Sequence, residues 1–333
     1  MREEILITVR NNYKIDPTVH AWGWQVIADL FLVGLTAGAL IFTALVILGR
    51  KEDVFAFTAK RLPLIGLISI GMAMSFLFLK LTHKPVFYSF FLAFVPTSVM
   101  SWGAYLLQVV ILSILLLALQ GLRQGFPMLS GPVDKFGIGK WALDLAEKIK
   151  RPVAWLSVVM GVIIAFYTGT LMTSLDARPF ANSGLMAPLF LTSGLATAAA
   201  VVLLGSKGEQ ERRIFSYTLF GLIAFKILLL ALTLVNLASG SKVQIEAVQM
   251  VFGGEYTQLF WVIFFIPGLL LPLLIEAFGL RGKRSAWMAI SPVLVLYGAY
   301  MLRQLFVDLG QLSGYIDYIN TYNPALIDLL RMH

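Results

Sequence analysis

Residues 24–48 read WQVIADLFLVGLTAGALIFTALVIL, a run in which Asp29 is the only ionisable side chain. About 20 apolar residues in a helix are enough to cross the roughly 30 Å of hydrocarbon in a bilayer. The run lacks the two-residue alternation of polar and apolar positions that is typical of a barrel strand. It therefore predicts a membrane-spanning α-helix, in which every backbone hydrogen bond is made internally.

Similar runs recur along the whole chain of 333 residues. Hydrophobic residues make up 59% of the chain and charged residues 13%, against about 25% charged in soluble domains. So few charges cannot cover the surface of a soluble fold of this size. We therefore predict an all-α membrane protein with eight transmembrane helices, at about residues 24–48, 62–80, 98–120, 152–173, 185–204, 216–238, 257–279 and 286–307.

The eight spans divide into two predicted four-helix bundles. The first covers residues 24–173 and includes the loop 121–151, and the second covers residues 185–307. Residues 1–23 and 308–333 are expected to form an outer N-terminal segment and an outer C-terminal tail.

The two halves share a sequence pattern that favours a parallel internal repeat. LFLVGLTAGA at 30–39 matches LFLTSGLATA at 189–198 with an offset of 159, which also separates Trp102 from Trp261. The alternative is two unrelated sets of helices rich in Gly and Ala.

The basic residues predict the orientation of the chain. The loops after spans 1, 3, 5 and 7 hold four, six, three and three Lys and Arg residues, against eight on the other side. The richer side is expected to be cytoplasmic, which leaves both termini outside. The net charge of +8 therefore reports topology and membrane lipid rather than nucleic acid. In the loop after span 3, WALDLAEKIK (141–150) is either an interfacial helix or a solvated connector.

The chain contains no cysteine and three histidines. Without cysteine it cannot form disulfides, thiolate zinc sites or cysteine-held iron–sulfur clusters. So few histidines argue against a b haem held by paired imidazoles. We expect no haem and no metal in this chain.

Polar side chains on three spans are predicted to meet at one depth. Asp29 lies about 7 Å below the outer end of span 1, on the same helix face as Gln25 and Thr36. Tyr105 of span 3 shares a face with Ser101, and Tyr167 of span 4 shares one with Thr170. The span directions place Asp29, Tyr105 and Tyr167 in the outer leaflet, where they would line a cleft. The alternatives are that Asp29 links helices by hydrogen bonds and that the tyrosines are interfacial.

Four segments resemble the NrfD/PsrC family, the membrane subunits of polysulfide reductase and related molybdoenzymes. They are HAWGWQVIADLFLVGLTAGA (20–39), SVMSWGAYLL (98–107), YTGTL (167–171) and DARPFANSGLMAPLFLTSGLATAAA (176–200). The chain departs from that family at Ala181, where members often have Trp, and at Asp29, where the polysulfide reductase subunit carries His.

The resemblance implies a subunit that binds exchangeable quinone, menaquinone in particular, in a prokaryotic cytoplasmic membrane. It implies electron exchange with an iron–sulfur partner subunit, a four-cluster ferredoxin-like protein docked on the outer face. That partner would serve a molybdopterin catalytic subunit. The chain itself would then carry only a site of quinone oxidation or reduction.

On this interpretation Asp29 and Tyr167 are the catalytic pair, one exchanging a proton and the other donating to a quinone carbonyl. The surrounding site would comprise His20, Gln25, Thr36, Ser101, Tyr105, Thr170, Asp176 and Arg178. His20 is either a proton relay or merely interfacial. Arg178 either neutralises Asp176 and shapes the entrance, or contacts lipid headgroups.

A different class of function, a secondary transporter or a proton-translocating channel, also fits parallel repeats and broken helices. Lys226 in mid-span, and Pro267 and Pro272 in span 7, would suit it. A transporter should work alone and place its polar site near the midplane, whereas the polar cluster here is predicted near the outer surface.

Overall fold

The computed structural model describes residues 22–81, 84–173, 178–281 and 286–313. Helices account for most of them, and no strand occurs within these ranges. In chain order the helices are α1 Trp24–Leu48, α2 Ala56–Lys60, α3 Leu62–Lys80, α4 Ser89–Leu92, α5 Val99–Gly125, α6 Pro127–Lys135, α7 Gly137–Lys148, α8 Lys150–Thr173, α9 Met186–Gly205, α10 Glu209–Ala238, α11 Lys242–Gln249, a π-helical segment Leu259–Leu270 continued by α12 Leu271–Arg281, and α13 Ile290–Leu312.

Eight of these helices are long and apolar enough to cross a membrane. They are α1, α3, α5, α8, α9, α10, the π-helical segment with α12, and α13. Each one coincides with a predicted span, so the prediction of an all-helical, multi-pass membrane protein is confirmed.

The spans pack as two neighbouring groups. Helices α1, α3, α5 and α8 contact one another, and so do α9, α10, α12 and α13. Helix α9 packs against both α1 and α8, and α13 also reaches α1. The two groups therefore share one continuous helical body with α1 and α9 at its centre. The internal repeat between the halves stays a prediction.

Helices α1 and α9 approach closely because glycine faces glycine where they cross. A Cβ atom added to Gly38 would lie 2.6 Å from the carbonyl oxygen of Gly194, and one added to Gly194 would lie 2.7 Å from that of Gly34. Small residues at such a crossing allow two backbones to come into contact within the membrane. Gly34 and Gly38 therefore allow α9 to approach α1 closely.

A buried carboxylate joins the two groups at the end where α1 finishes and α10 starts. Glu211 of α10 accepts hydrogen bonds from the backbone N–H groups of Phe57 (3.3 Å) and Thr58 (2.9 Å), where α2 begins. It also accepts from the hydroxyls of Thr58 (2.7 Å) and Ser206 (2.6 Å). Four donors satisfy this otherwise costly buried charge, so Glu211 fixes the first loop against the second group.

The span that contains Pro267 is irregular, as the two prolines of this run predict. Proline has no N–H to donate to the preceding turn, and the helix widens into a π-helical segment from Leu259 to Leu270 before α12 resumes regular geometry. Gly268 of this segment packs against Gly298 of α13, where an added Cβ would lie 2.6 Å from the opposite Cα.

Candidate functional site

A cleft of about 400 Å³ opens between α5 and α8 at the end of the molecule where α1 begins. Its walls are almost wholly apolar, and Tyr167 and Thr170 are the lining residues that carry hydroxyl groups. The lining residues are Val99, Trp102, Val162, Ile163, Phe166, Tyr167 and Thr170. Such a pocket has the size and the mostly apolar lining of a small-molecule site.

Tyr167 reaches the cleft by lying directly against the backbone of α5. A Cβ atom added to Gly103 would lie 1.9 Å from the Tyr167 hydroxyl oxygen and 2.7 Å from ring carbon Cε1. The absence of a side chain at Gly103 therefore leaves the space that the phenol occupies. The tyrosine is half-buried, with the hydroxyl end of its ring against α5, and it also lines the cleft.

Asp29 lies on α1, which packs against α8. Its carboxylate acts electrostatically on the Tyr167 phenol. Its Oδ1 atom is buried and has no hydrogen-bond partner among the described residues. A buried polar atom without a partner is costly, and in a native site it commonly marks a group whose partner is a ligand, water or ion. Asp29 thus offers an unused acceptor next to the cleft.

The polar face of α5 holds the connection that precedes the helix. Ser101 accepts a hydrogen bond from the N–H of Val95 (2.9 Å) and donates to the carbonyl of Ala93 (3.3 Å). Tyr105 donates to the carbonyl of Leu92 (3.1 Å). The residues predicted on this face, Ser101 and Tyr105, therefore bind the returning chain.

Trp102 connects this returning chain to the cleft. Its indole N–H donates to the carbonyl of Pro96 (2.9 Å), and its ring meets Phe94 edge-on with centroids 5.0 Å apart. The same indole forms a wall of the cleft. The hydrogen bond and the ring contact fix the orientation of this wall.

The remaining predicted residues occupy separate positions. Thr170 lines the cleft and donates to the carbonyl of Phe166 (3.0 Å). Thr36 is fully buried and donates to the carbonyl of Gly66 on α3 (3.1 Å). Arg178 donates to the carbonyl of Gln311 (2.7 Å), which ties the connection after α8 to the end of α13.

Gln25 is half-buried on α1, one turn before Asp29. His20 and Asp176 lie outside the described residues. The structure therefore brings Tyr167 and Thr170 to the cleft with Asp29 adjacent, and it places Thr36 and Arg178 in contacts between helices.

A second polar centre, which the motifs did not reveal, lies in the other group of helices. Arg303 of α13 is fully buried, and its guanidinium donates to the carbonyl of Leu30 (3.0 Å), to Ser193 (3.0 Å) and to the carbonyl of Ala299 (2.7 Å). Lys226 of α10 is also buried and close enough to repel it electrostatically. The only sequence signal was an arginine within an apolar run.

No group of three metal-ligating side chains occurs within the described ranges.

Comparison with known proteins places the whole helical body in one family. The family model described as "Polysulphide reductase, NrfD" matches residues 13–313. Protein NrfD of Escherichia coli is 29% identical over 313 residues, which cover 88% of this chain and 95% of that protein. The C subunit of polysulfide reductase from Wolinella succinogenes is 26% identical, over 87% of this chain and 94% of its own length. A NrfD homolog of Haemophilus influenzae is 23% identical, over 88% and 95%.

Proposed function

This chain belongs to the polysulphide reductase NrfD family, and from that membership we propose that it exchanges electrons between membrane quinone, menaquinone in particular, and a partner subunit. The family and the name of the Wolinella relative support a membrane subunit of a redox complex. The quinone site is assigned to the cleft between α5 and α8, with Asp29 and Tyr167 as its reactive pair.

The observation that carries this assignment is the unpartnered Oδ1 atom of Asp29 beside Tyr167. A quinone ring needs flat apolar walls and hydrogen-bond partners for its two carbonyls. Trp102 and Phe166 supply such walls, and the cleft of about 400 Å³ is within the usual range for ligand pockets. The residues present therefore fit the group.

A bound quinone supplies the transfer of two electrons together with two protons. The protein must position the ring and exchange those protons. The Tyr167 hydroxyl can donate a hydrogen bond to a quinone carbonyl. The Asp29 carboxylate, which acts electrostatically on that phenol, can accept a proton and release it again. Apolar residues of α5 and α8 exclude water from the ring.

The partner in this proposal is an iron–sulfur subunit of the four-cluster ferredoxin type, through which a molybdopterin catalytic subunit is served. The cleft lies near the end of the membrane body where α1 begins, and Asp29 is about 7 Å below the start of that helix. Electron tunnelling needs a short gap between quinone and cluster. We therefore place the partner over the ends of α1, α5 and α8, on the outer side of a prokaryotic cytoplasmic membrane.

Two substitutions test the site in the intact complex. Asp29→Asn and Tyr167→Phe should each lower quinol-dependent turnover at least about tenfold, equivalent to about 1.4 kcal/mol of barrier. Neither should reduce the amount of assembled complex. Tyr297→Phe is the matched control, because its hydroxyl donates to the carbonyl of Ile263 in the second group, far along the chain from the cleft. Normal quinol kinetics in both test variants would refute the assignment.

Binding should be measured as well as turnover. A fluorescent quinol analogue should bind to wild-type membranes and lose affinity in the Asp29 and Tyr167 variants. Cross-linking then locates the partner. Cross-links confined to the opposite face, where the basic loops lie, would contradict the proposed docking side even if the quinone site is correct.

A further inference from the structure

Two short helices form a hairpin between the third and fourth spans. Helix α6 starts two residues after α5 ends, and α7 ends two residues before α8 begins. The hairpin is therefore attached at both ends directly to membrane-spanning helices, without a linker. This geometry keeps it at the membrane surface, on the face that carries the larger number of basic residues.

A single arginine fixes the hairpin against the end of α5. The guanidinium of Arg123 donates to Asp134 of α6 (2.8 Å), and to Asp144 (2.8 Å) and Glu147 (3.2 Å) of α7. Hydrogen bonding to Arg123 lowers the pKa of Asp134 below its usual value. Gln120 also donates to the carbonyl of Ala146 (2.9 Å). All three acidic side chains of the hairpin therefore bind the same cation, although Asp144 and Glu147 stay half-exposed.

The lysines of the hairpin are directed elsewhere. Lys135, Lys140 and Lys148 are exposed, and none of them lies within ion-pair distance of a carboxylate in the part of the chain that the structure describes. Lys140 exerts only a longer-range attraction on Asp134. Because the acids are already paired with Arg123, the exposed lysines supply the unpaired charge of the hairpin.

The exposed surface of the hairpin also carries large apolar side chains. Ile138, Trp141, Leu145 and Lys148 follow a spacing of three, four and three residues and so share one face of α7. Ile138 is 84% exposed and Trp141 is 64% exposed. Phe136 in the turn and Met128 on α6 are also exposed, at 73% and 91%. The opposite face of α7 packs inward through Leu143 and Ala146.

We propose that the α6–α7 hairpin is a binding surface for anionic phospholipid of the adjacent leaflet. Apolar side chains beside exposed lysines are the pattern by which a helix lies in the headgroup region of a charged membrane. The apolar stripe enters the acyl boundary, and Lys135 and Lys148 contact the phosphates. Arg123 fixes α6 and α7 relative to each other, so the surface that lipid contacts is formed before lipid binds.

Site-specific labelling tests the apolar contact. The chain has no cysteine, so Ile138→Cys introduces a single attachment point for an environment-sensitive fluorophore. The full-length chain, with any co-purifying subunits, is placed in lipid nanodiscs of phosphatidylcholine, with or without phosphatidylglycerol. We expect blue-shifted emission at position 138, with the larger shift in the anionic discs. Gln210→Cys, an exposed site on the same face, should report water in both.

Charge removal tests the preference for anionic lipid. Lys135→Gln together with Lys148→Gln should reduce retention of phosphatidylglycerol after delipidation, by about fivefold for each lysine. Lys51→Gln with Lys207→Gln is the matched control, because both lysines are exposed in other loops of the same face. It should leave retention unchanged.

Three results would overturn the proposal. Emission at position 138 equal to that at position 210 would make the hairpin a solvated connector. Burial that is independent of lipid charge, with no effect of the lysine variants, would remove the anionic preference. Protection of position 138 that requires an added soluble protein would make the surface a protein interface.

Discussion

Replacing Gly103 by alanine tests how the cleft positions Tyr167. The added Cβ would lie 1.9 Å from the tyrosine hydroxyl, so the phenol must withdraw by about 1.5 Å to reach an ordinary van der Waals contact. Displacing a group by roughly 1 Å in an active site can cost about 100-fold in rate. We therefore expect Gly103→Ala to lower quinol-dependent turnover by about 100-fold in membranes that contain the assembled complex.

Gly71→Ala is the matched control, because it makes the same change in α3 at a site with nothing within 4 Å of the added atom. It should leave turnover at the wild-type level. A double-mutant cycle then tests whether Gly103→Ala acts through Tyr167. If Gly103→Ala acts by moving the phenol, it should cost little more in a Tyr167→Ala background. Wild-type turnover in Gly103→Ala, or full additivity in the double variant, would refute the reasoning.

Three further predictions concern the helical framework. Glu211→Gln should lower the free energy of unfolding by about 1–3 kcal/mol, because an amide N–H₂ then opposes a backbone donor. Thermal unfolding in detergent measures this loss. The control Glu209→Gln, at an exposed position, should leave the stability unchanged. Arg303→Ala should lower it by about 3 kcal/mol through lost hydrogen bonds, and a variant with wild-type thermal stability would contradict that role. Protein tags fused to either terminus should be cleaved by protease added to intact spheroplasts, and protected tags would reverse the predicted orientation.

Most of the fold could be predicted because burial in lipid makes a strong demand on sequence. Each span must be apolar over about 20 residues, and the run 24–48 already satisfies this demand. The same run contains Gly34 and Gly38, the glycines at which α1 crosses α9. Sequence could not identify which helix would fill that crossing, because many Gly/Ala-rich faces are interchangeable partners by composition alone.

For the candidate site, the sequence predicted which polar residues share a helix face but not what covers each face. Helical spacing correctly places Ser101 and Tyr105 on one face of α5, yet periodicity does not reveal which neighbour covers a face. The segment that precedes α5 folds back over the face with Ser101 and Tyr105, and its backbone carbonyls accept their hydrogen bonds. The sequence also could not reveal that Gly103 makes room for Tyr167, because the two residues are far apart in the chain and their contact is visible only in the structure.

The buried guanidinium of Arg303 has a consequence for how the protein is made. An arginine at the centre of a helix costs about 2.5–3.5 kcal/mol to insert into a bilayer, and the helix that carries it follows the other seven described spans in the chain. Its acceptors, the carbonyl of Leu30 and the hydroxyl of Ser193, belong to the first and fifth spans. Those helices leave the ribosome earlier, so the acceptors are already in the membrane when α13 is inserted. Stable integration of α13 should therefore depend on the completed packing of α1 and α9. A chain whose first helix is damaged should fail to retain α13 in the membrane.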